Sequence, residues 1–98
     1  MIIVTGSIRS QPDRIDDLLA ISLQHVHRSR LEPGCLRHTV HRDVEDPLTL
    51  VFVEYWQDRE SLVTHFTVTE SGHFVNEAIS MSTSAPTIDI YEAEPITL

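Results

Sequence analysis

The 98-residue sequence has no lysine, one cysteine, three glycines and one tryptophan. With Cys35 alone, an intrachain disulfide is excluded, and a reducing cytoplasm is the expected setting. The glycines are isolated and form no phosphate-binding loop, so a nucleotide cofactor has no support. No apolar run approaches the roughly 20 residues that span a bilayer. The N-terminus has no basic segment of the kind that begins a signal peptide.

Positive charge is also scarce. Seven arginines stand against fifteen acidic residues, which gives a net charge of −8 at pH 7 with neutral histidine. Such a domain repels a phosphate backbone, and no basic stripe offsets the repulsion. We therefore expect neither nucleic acid nor an anionic membrane as a partner, whereas a small neutral or weakly acidic molecule is compatible with this charge.

Hydrophobic spacing predicts one α+β domain over residues 1–98, without repeats or an internal boundary. The predicted elements, in chain order, are strand 1–9, a helix from Ser10 to the stop at 32–34, strands 35–43 and 48–56, helices 59–68 and 73–82, and strand 87–93. This β-α-β-β-α-(α)-β order is that of the ferredoxin-like fold, a four-stranded antiparallel sheet with helices on one face.

Local signals set the boundaries of these elements. Ser10, followed by proline and an acid, is typical of a helix cap, and so is Asp58 ahead of the second helix. The segment 70–72 predicts a kink before the third helix. Alternation along the second strand predicts three side chains on one face, namely Leu36, His38 and Val40.

The third strand is apolar on both faces, with Glu54 as the exception. One predicted face carries Leu50, Phe52, Glu54 and Trp56, and the other carries Val51, Val53 and Tyr55. Helices cover only one face, and the other would expose a larger apolar patch than soluble monomers usually show. We therefore expect a homodimer joined through its sheets, with a C-terminal tail, residues 93–98, that could reach the partner protomer.

Three segments together resemble the antibiotic biosynthesis monooxygenase (ABM) family: EPGCL at 32–36, VEYWQDRESLVTHF at 53–66, and His73-Phe74. The resemblance extends from the first strand through TIDIYEAEP. Relatives of this kind are dimeric α+β barrels of ferredoxin-like protomers, in agreement with the dimer expected above. The resemblance implies a small, often cofactor-free oxygenase acting on electron-rich aromatics such as quinols or anthrones.

The sequence departs from two groups within that family. Haem-degrading relatives use an asparagine in the first strand and a tryptophan in the second helix. Here the first strand offers only Thr5, Gly6 and Ser7, and His65 stands in the helix. Anthrone-oxidising relatives carry an asparagine four residues before the tryptophan, where this chain has Phe52. The resemblance therefore implies a cofactor-independent monooxygenase whose site differs from both.

His65 is the leading catalytic candidate, because helical spacing puts it on one face with Leu62 and Phe66. An imidazole ordinarily titrates near neutral pH and can accept the proton of a phenol or enol. Loss of that proton makes an aromatic substrate easier to oxidise. The alternative is a structural histidine bonded to a backbone carbonyl or a carboxylate.

Glu54 and Trp56 share a strand face with Phe52 and are expected to line the same cavity as His65. Trp56 could stack on a flat substrate or donate its indole N–H, or it could simply pack in the core. A buried Glu54 needs a partner. It either orients His65 or forms a structural bridge to an arginine, for which the candidates are Arg37 and Arg42.

Three further residues are assigned to substrate binding: Phe66, His73 and Phe74. Phe74 is expected to close the pocket. His73 is either a second proton carrier or a solvated residue at the start of its helix. Tyr55 and Tyr91 are expected on the opposite sheet face, in the dimer interface.

No metal site is expected from the spacing of the six histidines. His25 and His27 diverge on their helix, and His38 and His41 lie on opposite sides of their strand. Neither a His-x3-His pair nor a Cys/His cluster is present.

The sequence thus favours a monooxygenase for a small quinol- or anthrone-like molecule, with His65, Trp56 and Glu54 as catalytic residues. Two alternatives stay open. One is a non-catalytic, ligand-binding or structural dimer of the same fold. The other is an isomerase or degradative enzyme that moves a proton on a small enolisable metabolite.

Overall fold

In the computed structural model, which describes residues 1–98, four antiparallel strands form one sheet that three helices cover on one face. The strands are β1 (Ile2–Arg9), β2 (Cys35–Arg42), β3 (Thr49–Trp56) and β4 (Thr87–Glu92), in the sheet order β2-β3-β1-β4. The helices are α1 (Ile15–Ser29), α2 (Arg59–Thr67) and α3 (Thr69–Met81). This is the predicted ferredoxin-like fold. No helix combines the length and the apolar character needed to cross a membrane.

The two faces of β3 differ in burial, as the alternation predicts. The helix-facing side chains are buried, and they are Leu50, Phe52, Glu54 and Trp56. The side chains between them, Val51, Val53 and Tyr55, are only half-buried, because no helix covers that face of the sheet. β1 follows the same pattern, with Ile2, Val4 and Ile8 buried.

The apolar core consists of two clusters. The larger one contains Ile8, Leu18, Val26, Leu50, Phe52, Ala78 and Met81, and the smaller one contains Ile2, Val4, Trp56 and Leu62. Along β3, Glu54 lies between Phe52 of the larger cluster and Trp56 of the smaller one. A buried polar layer therefore separates the two clusters.

Helix α1 begins at Ile15 and not at Ser10, so the predicted cap was wrong. The backbone of Ser10 continues the sheet: its amide donates to the Leu48 carbonyl at 2.8 Å, and it forms a β-bridge with Ser82. Its hydroxyl donates to the neighbouring Gln11 carbonyl. Long-range strand pairing thus outweighs the local capping signal.

The second cap is confirmed, and the predicted kink is wrong. The Asp58 carboxylate accepts hydrogen bonds from the amide and the hydroxyl of Ser61, both at 2.8 Å. α3 begins at Thr69 and continues through residues 70–72 without a kink. The break falls earlier, at Val68, whose extended backbone ends α2 and precedes α3.

A bulge in β2 changes the alternation predicted for that strand. The pairing register with β3 shifts between Cys35 and Arg37. As a result Leu36 is 58% exposed, whereas His38 is buried. The prediction that these two side chains share one face was wrong, because a bulge inserts an extra residue and reverses the facing of those before it.

Gly34 gives the first testable prediction. Its φ of 81° lies in the left-handed region, and an added Cβ would lie only 2.6 Å from the Cβ of Ser61. We expect Gly34→Ala to lower the free energy of unfolding by at least about 2 kcal/mol, because backbone strain adds to the steric contact. Urea denaturation followed by circular dichroism measures this change.

Gly72→Ala is the matched control. A Cβ at Gly72 meets nothing within 4 Å, and the residue lies inside α3. This substitution is expected to raise the free energy of unfolding by about 0.5–1 kcal/mol, the helix-propensity difference between glycine and alanine. A Gly34→Ala variant as stable as the parent would contradict the close packing of this turn against α2.

Candidate active site

His65 lies in α2 with 2% of its surface exposed. Its Nδ1 is 2.8 Å from Oε1 of Glu32, so Nδ1 carries the hydrogen that the carboxylate accepts. In the neutral imidazole the lone pair is then on Nε2, which lies 3.9 Å from Oε1 of Glu54. The ring packs on Trp56, with ring centroids 4.7 Å apart. The Glu32 contact thus leaves Nε2 as the nitrogen that can accept a proton.

Glu54 lies in the middle of β3, with 8% of its surface exposed. Its Oε1 accepts a hydrogen bond of 2.9 Å from the indole N–H of Trp56 and lies 3.4 Å from Nε2 of His38. Burial raises the pKa of the Glu54 carboxyl, and the hydrogen bond from Trp56 opposes this rise. Glu54 can therefore hold a proton at a higher pH than an exposed glutamate.

The predicted bridge from Glu54 to an arginine does not form. Glu54 faces His38 and His65 on the helix side of the sheet. Arg37 lies on the other side, with its guanidinium carbon 5.6 Å from the centre of the Tyr55 ring. The polar neighbours of this carboxylate on the helix side are thus imidazoles and the Trp56 indole, and not guanidinium groups.

Two histidines that the sequence analysis did not select complete the cluster. His25 of α1 and His38 of β2 are buried beside His65, and the three ring centroids are 5.2 to 5.6 Å apart. The pKa of His25 and of His38 is lowered to about 3, mainly by burial and to a smaller extent by the neighbouring imidazoles and arginines. Both rings are therefore neutral at neutral pH.

The partners of these two rings differ. His25 stacks on Phe74, with centroids 4.1 Å apart, and its Nδ1 lies 2.6 Å from Nη2 of Arg28. His38 has no hydrogen-bond partner on either ring nitrogen, although its side chain is completely buried. Buried polar groups are normally hydrogen-bonded, so the two free nitrogens of His38 are unusual.

The cluster was missed because each histidine was compared only with neighbours in its own element. His25 and His27 do diverge, since one is buried and the other exposed. The fold, however, gathers one histidine from each of α1, β2 and α2. A usable signal was present in the sequence, because His25 follows Leu18 by seven residues and Ser22 by three, which puts it on the predicted apolar face of α1.

A cavity of about 190 Å³ adjoins the cluster, between the sheet and helices α2 and α3. Its wall includes five residues selected from the sequence, which are Phe52, Glu54, His65, Phe66 and Phe74, and it also includes His25. Val4 and Ile8, two residues before and two residues after Gly6 in β1, are buried on the helix-facing side of the sheet. The missing side chain at Gly6 therefore leaves space at the floor of this cavity.

Two of the selected residues lie outside this cavity. Trp56 is completely buried, and it contacts the cavity wall from behind, through its hydrogen bond to Glu54 and its packing on the His65 ring. His73 is exposed on α3 and lines a different depression, of about 200 Å³, on the other side of His25 and Phe74. Direct stacking of Trp56 on a bound molecule is thus incompatible with this arrangement of the chain.

The size of the cavity limits what it can hold. An apolar cavity of roughly 150 Å³ accommodates benzene. The cavity of about 190 Å³ beside His65 is therefore suited to a molecule with one aromatic ring and a few substituents. A three-ring anthrone would need the walls to move apart.

Comparison with known proteins identifies similar sequences. The model of the family described as antibiotic biosynthesis monooxygenase matches residues 1–77. An uncharacterised protein of Synechocystis is 32% identical over 98 residues, which cover 99% of this chain and 67% of that protein.

Solved structures are also similar. The crystal structure of an antibiotic biosynthesis monooxygenase is 28% identical, with a TM-score of 0.90 over 97% of this chain and 100% of that one. A candidate antibiotic biosynthesis monooxygenase from Deinococcus radiodurans is 22% identical, with a TM-score of 0.94 over 100% of this chain and 98% of that one. The second likeness concerns the fold alone.

The lowered pKa values of His25 and His38 predict a loss of stability in mild acid. Both values fall from 6.5 to about 3, so below pH 6.5 the unfolded chain binds protons that the folded chain does not. The free energy of unfolding should then decrease with falling pH, approaching about 1.4 kcal/mol per pH unit for each histidine. Urea denaturation between pH 7.5 and pH 5, in the presence of EDTA, measures the slope.

Glu54 acts in the opposite direction, because a raised carboxyl pKa stabilises the fold as the pH falls. As the pH falls, its effect begins at the raised pKa of the folded chain, so the histidine contribution is obtained from variants that all keep Glu54. His38→Leu is expected to remove about half of the histidine contribution to the slope, and His27→Leu, at an exposed position, is expected to leave the slope unchanged. Constant stability between pH 7 and pH 5.5 would contradict buried neutral imidazoles.

Proposed function

The chain belongs to the antibiotic biosynthesis monooxygenase family, and we propose that it oxidises a small single-ring quinol with dioxygen, without an organic cofactor. The observation that carries this proposal is the cavity beside His65, which combines three phenylalanine walls with two proton-carrying side chains. The electron balance needs no other reductant. A hydroquinone and one dioxygen give a hydroxyquinone and one water, and the quinol supplies all four electrons.

His65 is the proposed proton acceptor. Its Nδ1 donates to Glu32, so Nε2 is available to take the hydroxyl proton of the bound quinol. The resulting phenolate transfers an electron to dioxygen more readily than the neutral quinol does. Glu32 keeps the ring in one tautomer and stabilises the imidazolium that forms, as a carboxylate does for a catalytic histidine elsewhere.

Glu54 is the proposed second proton carrier, because it lines the cavity and its pKa is raised by burial. Trp56 has a positioning role, since its indole N–H fixes Oε1 of Glu54 at 2.9 Å. The side chains of Phe52, Phe66 and Phe74 would enclose the ring of the substrate and keep water from it.

A second candidate function uses the same proton carriers without oxygen. His65 and Glu54 lie on one wall, with Nε2 and Oε1 3.9 Å apart, so that a proton taken from one carbon of an enolisable metabolite can return to another. This isomerisation consumes no dioxygen. Oxygen uptake therefore distinguishes the two functions.

His65→Asn tests the proposed oxidation. Asparagine can keep a donor near Glu32 but has no basic nitrogen, so oxygen uptake with single-ring quinols should fall by at least about a hundredfold. Uptake is measured with an oxygen electrode in metal-free buffer, with quinols of one ring and an anthrone of three rings. The single-ring quinols are expected to react faster, because of the size of the cavity.

His27→Asn, an exposed change on α1, is the control and should keep the parental rate. Uptake that equals the buffer blank with every quinol would contradict the oxidation. Uptake that survives in His65→Asn would contradict the assignment of the base. Conversion of an enolisable substrate into an isomer of the same mass, without oxygen uptake, would favour the isomerase.

We also propose that two copies pair through the uncovered face of the sheet. Val51, Val53 and Tyr55 of β3 lie there half-buried, beside Ile3 of β1, and Tyr91 of β4 is 54% exposed. A second copy would cover these apolar side chains with an identical set, as in a two-fold symmetric interface.

Sedimentation at micromolar concentration should therefore give a mass of about 22 kDa, twice the 11.2 kDa of one chain. Val53→Arg, at the centre of the uncovered face, should give monomers, because burying an unpaired charge is unfavourable. Val44→Arg, at a turn position that is 94% exposed, should leave the dimer intact. A monomeric parent protein would refute this interface.

A further inference from the structure

Three histidines from different elements converge at the wall of the cavity. His25, His38 and His65 are all buried, and each offers one ring nitrogen within 4.8 Å of the other two. Histidine is a common ligand for transition metals in proteins. Catalytic zinc sites typically have three protein ligands, and this cluster supplies three imidazole nitrogens.

The hydrogen bonding of His38 does not explain why it is buried here. Both of its ring nitrogens lack a partner, and its side chain has no exposed surface. A polar ring in that state destabilises the fold unless something binds it. An apolar residue of similar size would have packed at this position without that penalty.

We propose that His25, His38 and His65 bind a divalent first-row transition-metal ion, with the carboxylate of Glu54 as the fourth ligand. Nitrogen-rich sites of this kind suit zinc, copper, iron or cobalt, whereas magnesium and calcium prefer oxygen ligands. The site would lie at the cavity wall, because three of these four residues line the cavity.

The distances suit a four-coordinate ion. Oε1 of Glu54 lies 3.4 Å from Nε2 of His38 and 3.9 Å from Nε2 of His65. A tetrahedral ion with bonds of about 2.0–2.1 Å holds its ligand atoms roughly 3.3 Å apart. The wider separations of up to 4.8 Å among the histidines would close by side-chain rotations that move the nitrogens by about 1 Å.

Residues behind the proposed ligands are arranged as in known metal sites. Glu32 accepts the hydrogen of His65 Nδ1, which directs the Nε2 lone pair toward the centre. Trp56 donates to Glu54 and fixes the orientation of that carboxylate. Carboxylates that hold a histidine ligand in one tautomer recur in metalloproteins.

Arg28 opposes binding in its present position. Its Nη2 lies 2.6 Å from Nδ1 of His25, where it uses the lone pair of that nitrogen. If Nδ1 of His25 is the ligand, its lone pair binds the metal. If Nε2 is the ligand, Nδ1 carries the ring hydrogen. In both cases Nδ1 can no longer accept a hydrogen bond from Arg28, so Arg28 has to withdraw. The hydroxyl of Ser71, already 3.2 Å from Nη2, offers an alternative acceptor.

Protons do not compete strongly with a metal ion for His25 and His38 at neutral pH. Burial keeps the pKa of His25 and of His38 near 3, so both rings are neutral in the metal-free protein. The two carboxylates, Glu32 and Glu54, offset the charge of a divalent ion.

Metal binding does not depend on the proposed oxidation. The Nε2 lone pair of His65 cannot accept a proton and hold a metal ion at once, so each property needs its own conditions. Oxygen uptake is measured in metal-free buffer, and metal binding is measured without substrate. Failure of one proposal is then distinguishable from failure of the other.

The test uses tag-free protein, treated with EDTA, dialysed and titrated calorimetrically with zinc, cobalt and magnesium. One zinc or cobalt ion per chain is expected, with the intense visible absorption of four-coordinate cobalt, and no binding of magnesium. His38→Leu should weaken zinc binding by at least about a hundredfold, because it removes a ligand. Glu32→Gln should weaken it by roughly 10- to 100-fold, as loss of a residue behind a ligand typically does.

The double variant His27→Asn, His41→Asn is the matched control, because it removes two exposed histidines and should leave binding unchanged. Circular dichroism without metal checks that His38→Leu folds, as expected for an apolar residue that replaces two unpartnered nitrogens. The proposal is overturned by absent zinc binding, by equal zinc affinity in folded His38→Leu, by loss of binding in the surface variant, or by magnesium binding as tight as zinc.

Discussion

The buried carboxylate of Glu54 is the constraint on which the arrangement of the site depends. It lies on the helix-facing side of β3, between two side chains of the apolar core. A carboxylate in such a place requires polar partners, and each must come from a residue that would otherwise be apolar. Trp56 meets this requirement with a hydrogen bond, and ring nitrogens of His38 and His65 lie 3.4 and 3.9 Å from the same oxygen. The polar atoms of these residues lie between the two apolar clusters.

Gly6 in β1 has no side chain, and its absence leaves a cavity beside this polar layer. Gly6 pairs with Phe52 across the two central strands, and Val4 pairs with Glu54. A Cβ on Gly6 would lie 2.9 Å from the Thr87 carbonyl oxygen, so close pairing with β4 keeps this position free of a side chain. The same strand register therefore aligns the void with the carboxylate.

Sequence patterns predict the features of this fold that depend on residues close together in the chain. They do not predict the features that depend on pairing or packing between distant segments. The burial of alternate residues in β3 and the Asp58 cap follow from spacing within one element, and both are confirmed. Ser10 has the local pattern of a cap, but its pairing with Ser82 is invisible in that pattern. The contact of His25 with His38 depends on how α1 packs on β2, which no periodicity within one element indicates.

Glu32 shows why proton transfer and metal binding can arise from the same residues. By accepting the hydrogen on Nδ1 of His65, it leaves an Nε2 lone pair that serves a proton or a metal ion equally well. The choice between them then rests on His25, whose ring can bind only when Arg28 releases it. With Arg28 in place, its positive charge disfavours a second cation and leaves His65 free as a base. In this proposal, an arginine beside one proposed ligand would control the chemistry of a histidine in another helix.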